Sequence, residues 1–178
     1  MRAEPRCSGR RAVHASVLIP LVMRDQGLTV LLTERTTHLS SHSGQIAFPG
    51  GKADPEDSSA VDTALREAQE EIGLDRKFVE VLGTLPIYTT GSAFIVTPVV
   101  ALVHAEHVVT ANPHEVADVF EVPLDFLMDP ANHHRHAIEW AGARREWLSM
   151  PYMDAKVERF IWGATAGMLR NFYRFLLD

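Results

Sequence analysis

With 178 residues, 46% of them hydrophobic and 22% charged, the chain has the size and composition of one globular domain with its own core. Its formal charge of −6 argues against broad binding to nucleic acids or anionic membranes, because neither gains electrostatic energy from a negative partner. A single cysteine, Cys7, excludes an intrachain disulfide, and no apolar run has membrane-spanning length. We therefore expect a cytoplasmic protein with no nucleic-acid or membrane partner.

The N-terminal part of the chain predicts a loose segment followed by two strands. Residues 1–12 are basic and unpatterned, so we expect a flexible N-terminal segment and a single domain over residues 13–178. The apolar runs at residues 17–23 and 28–33 predict strands. Residues 34–51 then form a connection rich in Ser, Thr, His and Gly, and connections of that length often carry function.

A helix is predicted after this connection. Residues that favour a helix N-terminus come first, and apolar residues then recur at steps of three and four: Asp57, Ser58 and Ser59, followed by Val61, Ala64, Leu65, Ala68 and Ile72. Gly73 is suited to the left-handed residue that ends many helices. The spacing therefore predicts a helix that ends at Ile72.

Glu67, Glu70 and Glu71 lie within five residues of this predicted helix. At about 100° per residue, their side chains fall within an arc of roughly 100° beside the apolar face. Like charges at this spacing destabilise an isolated helix, whereas clustered carboxylates are ligands that Mg²⁺ and Mn²⁺ prefer. Two interpretations follow, a charged surface or a divalent metal site.

The second half of the chain predicts further strands and a closing helix. Strands are expected at residues 79–85, 95–103 and 119–122, and a helical turn at residues 124–128. Residues 155–177 carry apolar side chains at helical spacing and predict a long final helix: Val157, Phe160, Ile161, Ala164, Met168, Phe172 and Leu176. The order of elements indicates an α+β domain, a mixed β-sheet sandwiched between helices.

Residues 130–136, PANHHRH, indicate a turn with three histidines, His133, His134 and His136. A metal site and a solvent-exposed loop are both compatible with this composition, and the crowding in a polar loop favours exposure. Trp140 and Trp147 flank a predicted hairpin turn around Gly142. No internal repeat or second domain boundary is visible in the sequence.

The stretch that begins at Gly50 and ends with REAQEEIGL resembles the Nudix box, G-x5-E-x7-R-E-U-x-E-E-x-G-U, where U is an apolar aliphatic residue. The second half matches without a break, from Arg66 to Leu74. In the first half, Asp57 stands at the position of the first Glu, and eight rather than seven residues separate it from Arg66. The spacing among the later acids is unaffected by this insertion.

The preceding segment, LLTERTTHLSSHSGQIAFPGG at residues 31–51, resembles the signature of the coenzyme A pyrophosphatase branch, L-L-T-x-R-[SA]-x3-R-x3-G-x3-F-P-G-G. Ser40 stands where that signature has Arg, and Ser cannot supply a bidentate charged fork to a phosphate. The stretch WGATAG at residues 162–167 also agrees with the branch. The resemblance extends over residues 13–178.

The resemblance implies the Nudix fold, an α/β/α sandwich, and a pyrophosphohydrolase that depends on Mg²⁺ or Mn²⁺. Its substrate would be coenzyme A or a derivative, a small-molecule nucleotide that is split into 3′,5′-ADP and a 4′-phosphopantetheine product. The implied metal ligands are Glu67 and Glu71, with Glu70 as a third ligand or as the group that orients the metal-bound water. Arg66 would fix the loop by pairing with an acid.

The general base implied by the family lies either on the helix or on a later loop. Glu115 is our candidate for a base on the later loop, and Glu121 is a weaker candidate. The alternative interpretation is that Glu115 is an ordinary surface acid.

Substrate contacts are expected from the long connection. Arg35 is the best anion partner, His42 and Gln45 are candidates for phosphate or adenine, and Phe48 is either a core residue or a stacking platform. Gly50 and Gly51 would let the backbone approach the metal or phosphate closely.

Two alternatives stay open at this stage. Ser40 keeps a different Nudix substrate open, such as ADP-ribose, NADH or a dinucleoside polyphosphate. A Nudix fold that binds a nucleotide without cleaving it is the second, although such modules usually lack the acids that this chain retains. A monomer and a homodimer are both compatible with the sequence.

Overall fold

The structure is a computed structural model that describes residues 12–37 and 44–178. Most of the predicted N-terminal segment therefore lies outside the described residues, as do Ser40 and His42.

A large mixed sheet forms the centre of the fold. In the described part of the chain it has eight strands: β1 Val13–Arg24, β2 Gly27–Arg35, β3 Ile46–Ala47, β4 Gly50–Lys52, β5 Val79–Thr84, β6 Tyr88–Thr89, β7 Phe94–Val103 and β8 Val116–Pro123. The longest path through the sheet runs β3-β2-β1-β7-β5, with β4 beside β1, β6 beside β7 and β8 beside β2. β1 pairs in parallel with β7 and antiparallel with β2 and β4, so the predicted mixed sheet is confirmed.

Within the described residues, three α-helices accompany the sheet: α1 Ala60–Ile72, α2 Leu124–Met128 and α3 Gly163–Leu177. Short 3-10 turns occur at Arg76–Phe78 and Pro130–Asn132. The predicted acidic helix, the helical turn at residues 124–128 and the strands at residues 79–85, 95–103 and 119–122 are all found, with shifted ends. The connection at residues 34–51 differs from the prediction by containing the short strands β3 and β4.

A second, three-stranded antiparallel sheet follows, with β9 His134–Trp140, β10 Ala143–Asp154 and β11 Val157–Trp162. β9 and β10 form the predicted hairpin, with Ala141 and Gly142 at positive φ angles of 51° and 77°. β11 corrects the predicted closing helix, whose first part is wrong. Residues 157–162 alternate as a strand: Arg159 and Ile161 are buried while Phe160 and Trp162 are exposed, and the backbone pairs with β10.

The core has two parts on opposite faces of the large sheet. On one face, α1 packs through Ala64, Leu65 and Ala68 against Leu18 and Val22 of β1. On the other, Leu169 and Phe172 of α3 belong to one cluster with Ile19 and Leu21 of β1 and with Met150 of the small sheet. Helices thus cover both faces, as the predicted α+β sandwich requires.

Within the described ranges, no helix has both the length and the apolar character needed to cross a lipid bilayer.

Candidate functional site

The acidic residues of the site are held by α1, which is fixed at both ends. At its start, the Ser59 hydroxyl accepts a hydrogen bond of 3.1 Å from the Asp62 backbone N–H. At its end, Gly73 adopts φ 64°, the left-handed conformation that closes a helix. With the apolar face buried on β1, the helix turns Glu71 inward at 4% exposure, leaves Glu67 half-buried and places the Glu70 side chain in solvent at 55%.

Gly50 and Gly51 on β4 lie directly against two of these acids. The Gly50 N–H donates a hydrogen bond of 3.2 Å to Glu71 Oε2. A Cβ atom on Gly51 would lie 2.5 Å from both Cδ and Oε1 of Glu67, which is closer than side-chain atoms pack. The expected close backbone approach is therefore made to the carboxylates themselves, and glycine is required at residue 51 because any side chain would displace Glu67.

Arg66 joins the preceding loop to the acidic helix. Its Nε and Nη2 atoms donate hydrogen bonds of 2.9 Å to Oδ1 and Oδ2 of Asp57, and Nη2 also donates to the Lys52 carbonyl at 3.1 Å. These bonds hold the pKa of Asp57 well below its usual range and raise that of Arg66. Asp57 is thus the acid with which Arg66 pairs to fix the loop before α1.

Ionisation of Glu67 and Glu71 is electrostatically unfavourable when no cation is bound. Burial raises the pKa of Glu71 to about 7, opposed by the Gly50 N–H and assisted by the negative charge of Glu67. Burial also raises the pKa of Glu67, although the neighbouring Arg66 opposes the shift. Both carboxylates would therefore be ionised more readily if a positive ion lay beside them.

The chemistry of these side chains fits a hard divalent cation. Glu67, Glu70 and Glu71 offer only carboxylate oxygens, and two of the three are withdrawn from water. Across residues 12–37 and 44–178, no three His, Cys, Asp or Glu side chains form a preformed metal cage. Arg66 Nη1 lies 3.2 Å from one oxygen of each of Glu67 and Glu70, so a guanidinium supplies the positive charge between them.

Of the two candidate later bases, Glu115 lies near the acids of α1, whereas Glu121 is hydrogen-bonded to other residues. Glu115 Oε1 accepts a hydrogen bond of 3.2 Å from the Asn112 amide, and its charge raises the pKa values of Glu67 and Glu71. Glu121 accepts hydrogen bonds from Arg24 and Thr29, which outweigh burial and lower its pKa. The geometry therefore favours Glu115 over Glu121 as a participant in the site.

The expected substrate residues of the connection lie in different surroundings. Arg35 Nη1 approaches Glu71 Oε1 at 4.0 Å, so this cation borders the acid cluster. The Gln45 amide faces the start of α3, where a Cβ on Gly163 would lie 3.6 Å from its Nε2. Phe48 is 3% exposed within the core, which favours its core alternative over a stacking platform. His42 lies outside the described residues.

The three histidines at residues 133–136 do not share one environment. His134 is exposed as expected, but His133 and His136 are half-buried and hydrogen-bonded. His133 Nε2 lies 2.7 Å from the Leu127 carbonyl and Nδ1 lies 2.8 Å from Arg170 Nη1, a pattern that requires the neutral ring. Burial lowers the pKa of His133 accordingly. His136 Nε2 bonds to Ser149 Oγ at 2.7 Å.

Sequence reasoning missed a cavity of about 600 Å³ between the small sheet and α3. Four arginines line it: Arg135, Arg144, Arg170 and Arg174. Only the spacing of Arg170 and Arg174, one helical turn apart on α3, was a signal in the sequence. The other two lie on β9 and β10, and they meet the α3 arginines only because the small sheet lies beside α3, which is a tertiary feature.

Comparison with known proteins gives a consistent family match. The sequence pattern of the NUDIX domain matches residues 12–147. An uncharacterized Nudix hydrolase, NudL, of Yersinia enterocolitica is 44% identical over 158 residues, which are 89% of this chain and 78% of the relative.

Solved structures with the same fold are more distant in sequence. The Nudix hydrolase RenU of M. smegmatis has a TM-score of 0.55 at 24% identity, over 66% of this chain and 74% of its own. An Ap4A hydrolase of C. elegans, solved as a binary complex, has a TM-score of 0.58 at 18% identity, over 93% of this chain and 98% of its own. At these identities the likeness is one of fold.

Proposed function

Because the chain belongs to the Nudix family, and so to a group of hydrolases that act on small nucleotide derivatives, we propose that it cleaves the phosphoanhydride of coenzyme A or one of its derivatives. The products would be 3′,5′-ADP and a 4′-phosphopantetheine compound. The hydrolase chemistry rests on one observation above all, the placement of Glu67 and Glu71 against the Gly50–Gly51 backbone. The coenzyme A assignment rests on the residues of the connection that match the branch signature, including Arg35, Gly44, Phe48 and Pro49.

Glu67 and Glu71 would hold Mg²⁺ or Mn²⁺, with Glu70 as the third acid. When bound, the cation neutralises charge on the phosphoanhydride oxygens and lowers the pKa of a coordinated water. The chain's own groups orient this arrangement. Arg66 fixes the rotation of the Glu67 and Glu70 side chains, and the Gly50 N–H fixes that of Glu71.

Two acids compete for the role of general base. Glu70 is exposed at the edge of the cluster, and Glu115 is held by Asn112 on the loop before β8. We propose Glu115 as the base because the hydrogen bond from the Asn112 amide orients its carboxylate, while Glu70 shares Arg66 with Glu67. Glu115→Gln is expected to lower kcat by about 100-fold or more with little effect on metal affinity. If Glu70→Gln lowers kcat more than Glu115→Gln does, the assignment is reversed and Glu70 is the base.

The function is tested by product analysis with coenzyme A, ADP-ribose, NADH and diadenosine polyphosphate, each with Mg²⁺, Mn²⁺ or chelator. Metal-dependent release of 3′,5′-ADP from coenzyme A, with little cleavage of the others, is the expected result. Glu67→Gln and Glu71→Gln should abolish this turnover. Full turnover by both variants would show that the metal-ligand assignment is wrong, and nucleotide binding without turnover of any substrate would favour a non-catalytic module.

Another nucleotide is the second candidate substrate class. Ser40 replaces the arginine of the branch signature, so this chain has no guanidinium at that position to form a bidentate contact with a phosphate. Preferred cleavage of ADP-ribose, NADH or a dinucleoside polyphosphate in the same panel would support this candidate and leave the Nudix chemistry intact.

A further inference from the structure

The arginine cavity defined above carries a charge opposite to that of the chain. Arg135, Arg144, Arg170 and Arg174 line it together with one acid, Glu146. The cavity lining is thus positive, whereas the whole chain has a formal charge of −6. A concave surface with one sign of charge concentrates ligands of the opposite sign.

These arginines differ in how far they are neutralised. Arg144 pairs with Glu146 at 2.8 Å. Arg170 is held in place by His133 Nδ1 and by the Tyr173 ring, whose centroid lies 4.8 Å from the guanidinium carbon. Neither partner of Arg170 is an acid, and its buried Nε has no acceptor within the described part of the chain.

Arg135 on β9 and Arg174 on α3 are exposed, and neither makes an ion pair with any described residue. Three guanidinium groups therefore line the cavity without an acidic partner among the residues that the structure describes. Arginine forks match phosphate oxygens bidentately, which makes phosphate the anion that suits this lining best.

An aromatic wall accompanies the charges. Trp147 lines the cavity and stacks on His136, with ring centroids 5.2 Å apart and planes 17° apart. Tyr88 and the backbone of Gly163 also contribute to the lining. A flat aromatic surface beside guanidinium groups suits a nucleotide, whose base stacks while its phosphates pair with arginine.

One short segment of the chain connects the cavity with the acids of α1. Gly163 lines the cavity and faces the Gln45 amide, and Thr165 Oγ1 donates a hydrogen bond of 2.9 Å to the Ile46 carbonyl. Gly50 follows Gln45 by five residues, and its N–H donates a hydrogen bond to Glu71. A fully extended chain spans at most about 3.6 Å per residue, so Gln45 and Gly50 are no more than about 18 Å apart.

We propose that this cavity binds a phosphate monoester on the part of the substrate that is not cleaved, and so selects nucleotides with a phosphate beyond the two of the anhydride. This inference rests on the proposed function, in which coenzyme A carries such a group on its ribose. Arg135 and Arg174 are the specificity-determining residues, because they are the cavity arginines that are both exposed and free of ion pairs among the described residues.

The kinetic test compares coenzyme A with dephospho-coenzyme A, which lacks only the ribose phosphate. An Arg135→Ala/Arg174→Ala double variant should raise KM for coenzyme A at least tenfold, leave kcat nearly unchanged and leave KM for dephospho-coenzyme A unchanged. Arg145→Ala is the matched control, since Arg145 is an exposed arginine next to Arg144 on β10 that does not line the cavity. Equal KM changes for both substrates, no change at all, or the same change in Arg145→Ala would overturn the proposal.

A binding measurement separates this inference from the proposed function. Titration calorimetry with 3′,5′-ADP and with 5′-AMP needs no turnover, and thermal unfolding first verifies that each variant is folded. If coenzyme A is not cleaved, the proposed function fails, but tighter binding of 3′,5′-ADP than of 5′-AMP that disappears in the double variant would sustain the cavity assignment. Failure of wild-type protein to bind 3′,5′-ADP more tightly than 5′-AMP would refute it.

Discussion

Arg66 binds Asp57 through two parallel hydrogen bonds of 2.9 Å, from Nε to Oδ1 and from Nη2 to Oδ2. The Asp54 N–H and the Thr63 hydroxyl donate to the same carboxylate, each at 2.8 Å. One carboxylate thus ties the turn before α1 to the first and second turns of that helix. Arg66 also restrains the side chains of Glu67 and Glu70, because its Nη1 donates hydrogen bonds to both.

Replacing Arg66 by lysine should weaken this constraint without removing the charge. Lysine cannot form a bidentate fork, so the Glu67 and Glu70 side chains would lose a fixed partner. We expect metal affinity or kcat to fall by about 10- to 100-fold, the range typical of groups that orient metal ligands. Kinetics at a series of metal concentrations separate the change in metal affinity from the change in kcat. Thermal unfolding shows whether the variant is also less stable.

Arg76→Lys is the matched control, because Arg76 pairs with Asp62 at the exposed side of the same helix. It should leave kinetics near wild type. Equal activity of Arg66→Lys and Arg76→Lys would contradict the positioning role of Arg66.

Alanine at Gly51 should disturb the acid site more than the fold. The new Cβ would meet the Glu67 carboxylate at 2.5 Å, so Glu67 must move. Displacements near 1 Å at reacting groups can lower rates by about 100-fold, which we expect in kcat/KM for Gly51→Ala. Its Tm should stay near that of wild type, since the displaced group is the end of a side chain.

Gly50→Ala gives the contrasting outcome. A Cβ at Gly50 would clash with the backbone of Ser16 and Val17, which cannot yield without disrupting the pairing of β1 with β4. We expect a markedly lower Tm as well as lost activity. If Gly51→Ala lowers Tm as much as Gly50→Ala does, the effect at Gly51 is one of folding and the assignment to Glu67 is wrong.

Local signals explain why the acidic helix was predictable from sequence. The Ser59 cap, the apolar spacing and Gly73 all act within α1, so the helix and its Glu67–Glu71 face follow from a short stretch of chain. β11 was missed because Val157, Phe160 and Ile161 satisfy helical spacing, while the pairing with β10 that makes a strand is a contact along a hairpin. The position of Phe48 in the core likewise depends on residues distant in sequence.

Arg159 should prove to be the most important charged residue for stability among the ion pairs of the two sheets. It is 8% exposed and bonds to Glu34 at 2.8 Å, and also to Asp118 and Asp154. Arg159→Met would keep much of the side-chain volume but leave three clustered carboxylates without a cation. We expect the free energy of unfolding to fall by about 2 kcal/mol, between the values for surface and buried ion pairs, because the arginine is buried but its three carboxylates are partly exposed.

Arg144→Met is the control for this prediction. Arg144 pairs with Glu146 on the surface, where an ion pair contributes about 0.5 kcal/mol or less. Chemical denaturation of both variants gives the comparison. A loss of unfolding free energy for Arg159→Met as small as that for Arg144→Met would contradict a structural role for the buried arginine.

Glu71→Gln should make the metal-free protein more stable while removing its activity. Burial raises the pKa of Glu71 to about 7, compared with about 4.3 for an unperturbed glutamate. A carboxyl group whose folded-state pKa is raised favours the fold below the unfolded value, and this stability is lost as pH rises through about 7. At about 1.4 kcal/mol per pKa unit, the ionised carboxylate costs the metal-free protein about 4 kcal/mol at pH 8.

Glutamine stays neutral at every pH and can still accept the Gly50 hydrogen bond. We therefore expect metal-free Glu71→Gln to exceed wild type in stability at pH 8 and to match it near pH 4, with exposed Glu70→Gln as the control that shows little difference. Mg²⁺ or Mn²⁺ should stabilise wild type at pH 8 far more than Glu71→Gln, because only the wild-type carboxylate gains a compensating charge. Denaturation across pH 4 to 8, with chelator and with metal, measures all of these differences. If wild type is as stable as Glu71→Gln at pH 8 in chelator, Glu71 is not held in an unfavourable ionised state. Glu71 would then need no cation to offset its charge.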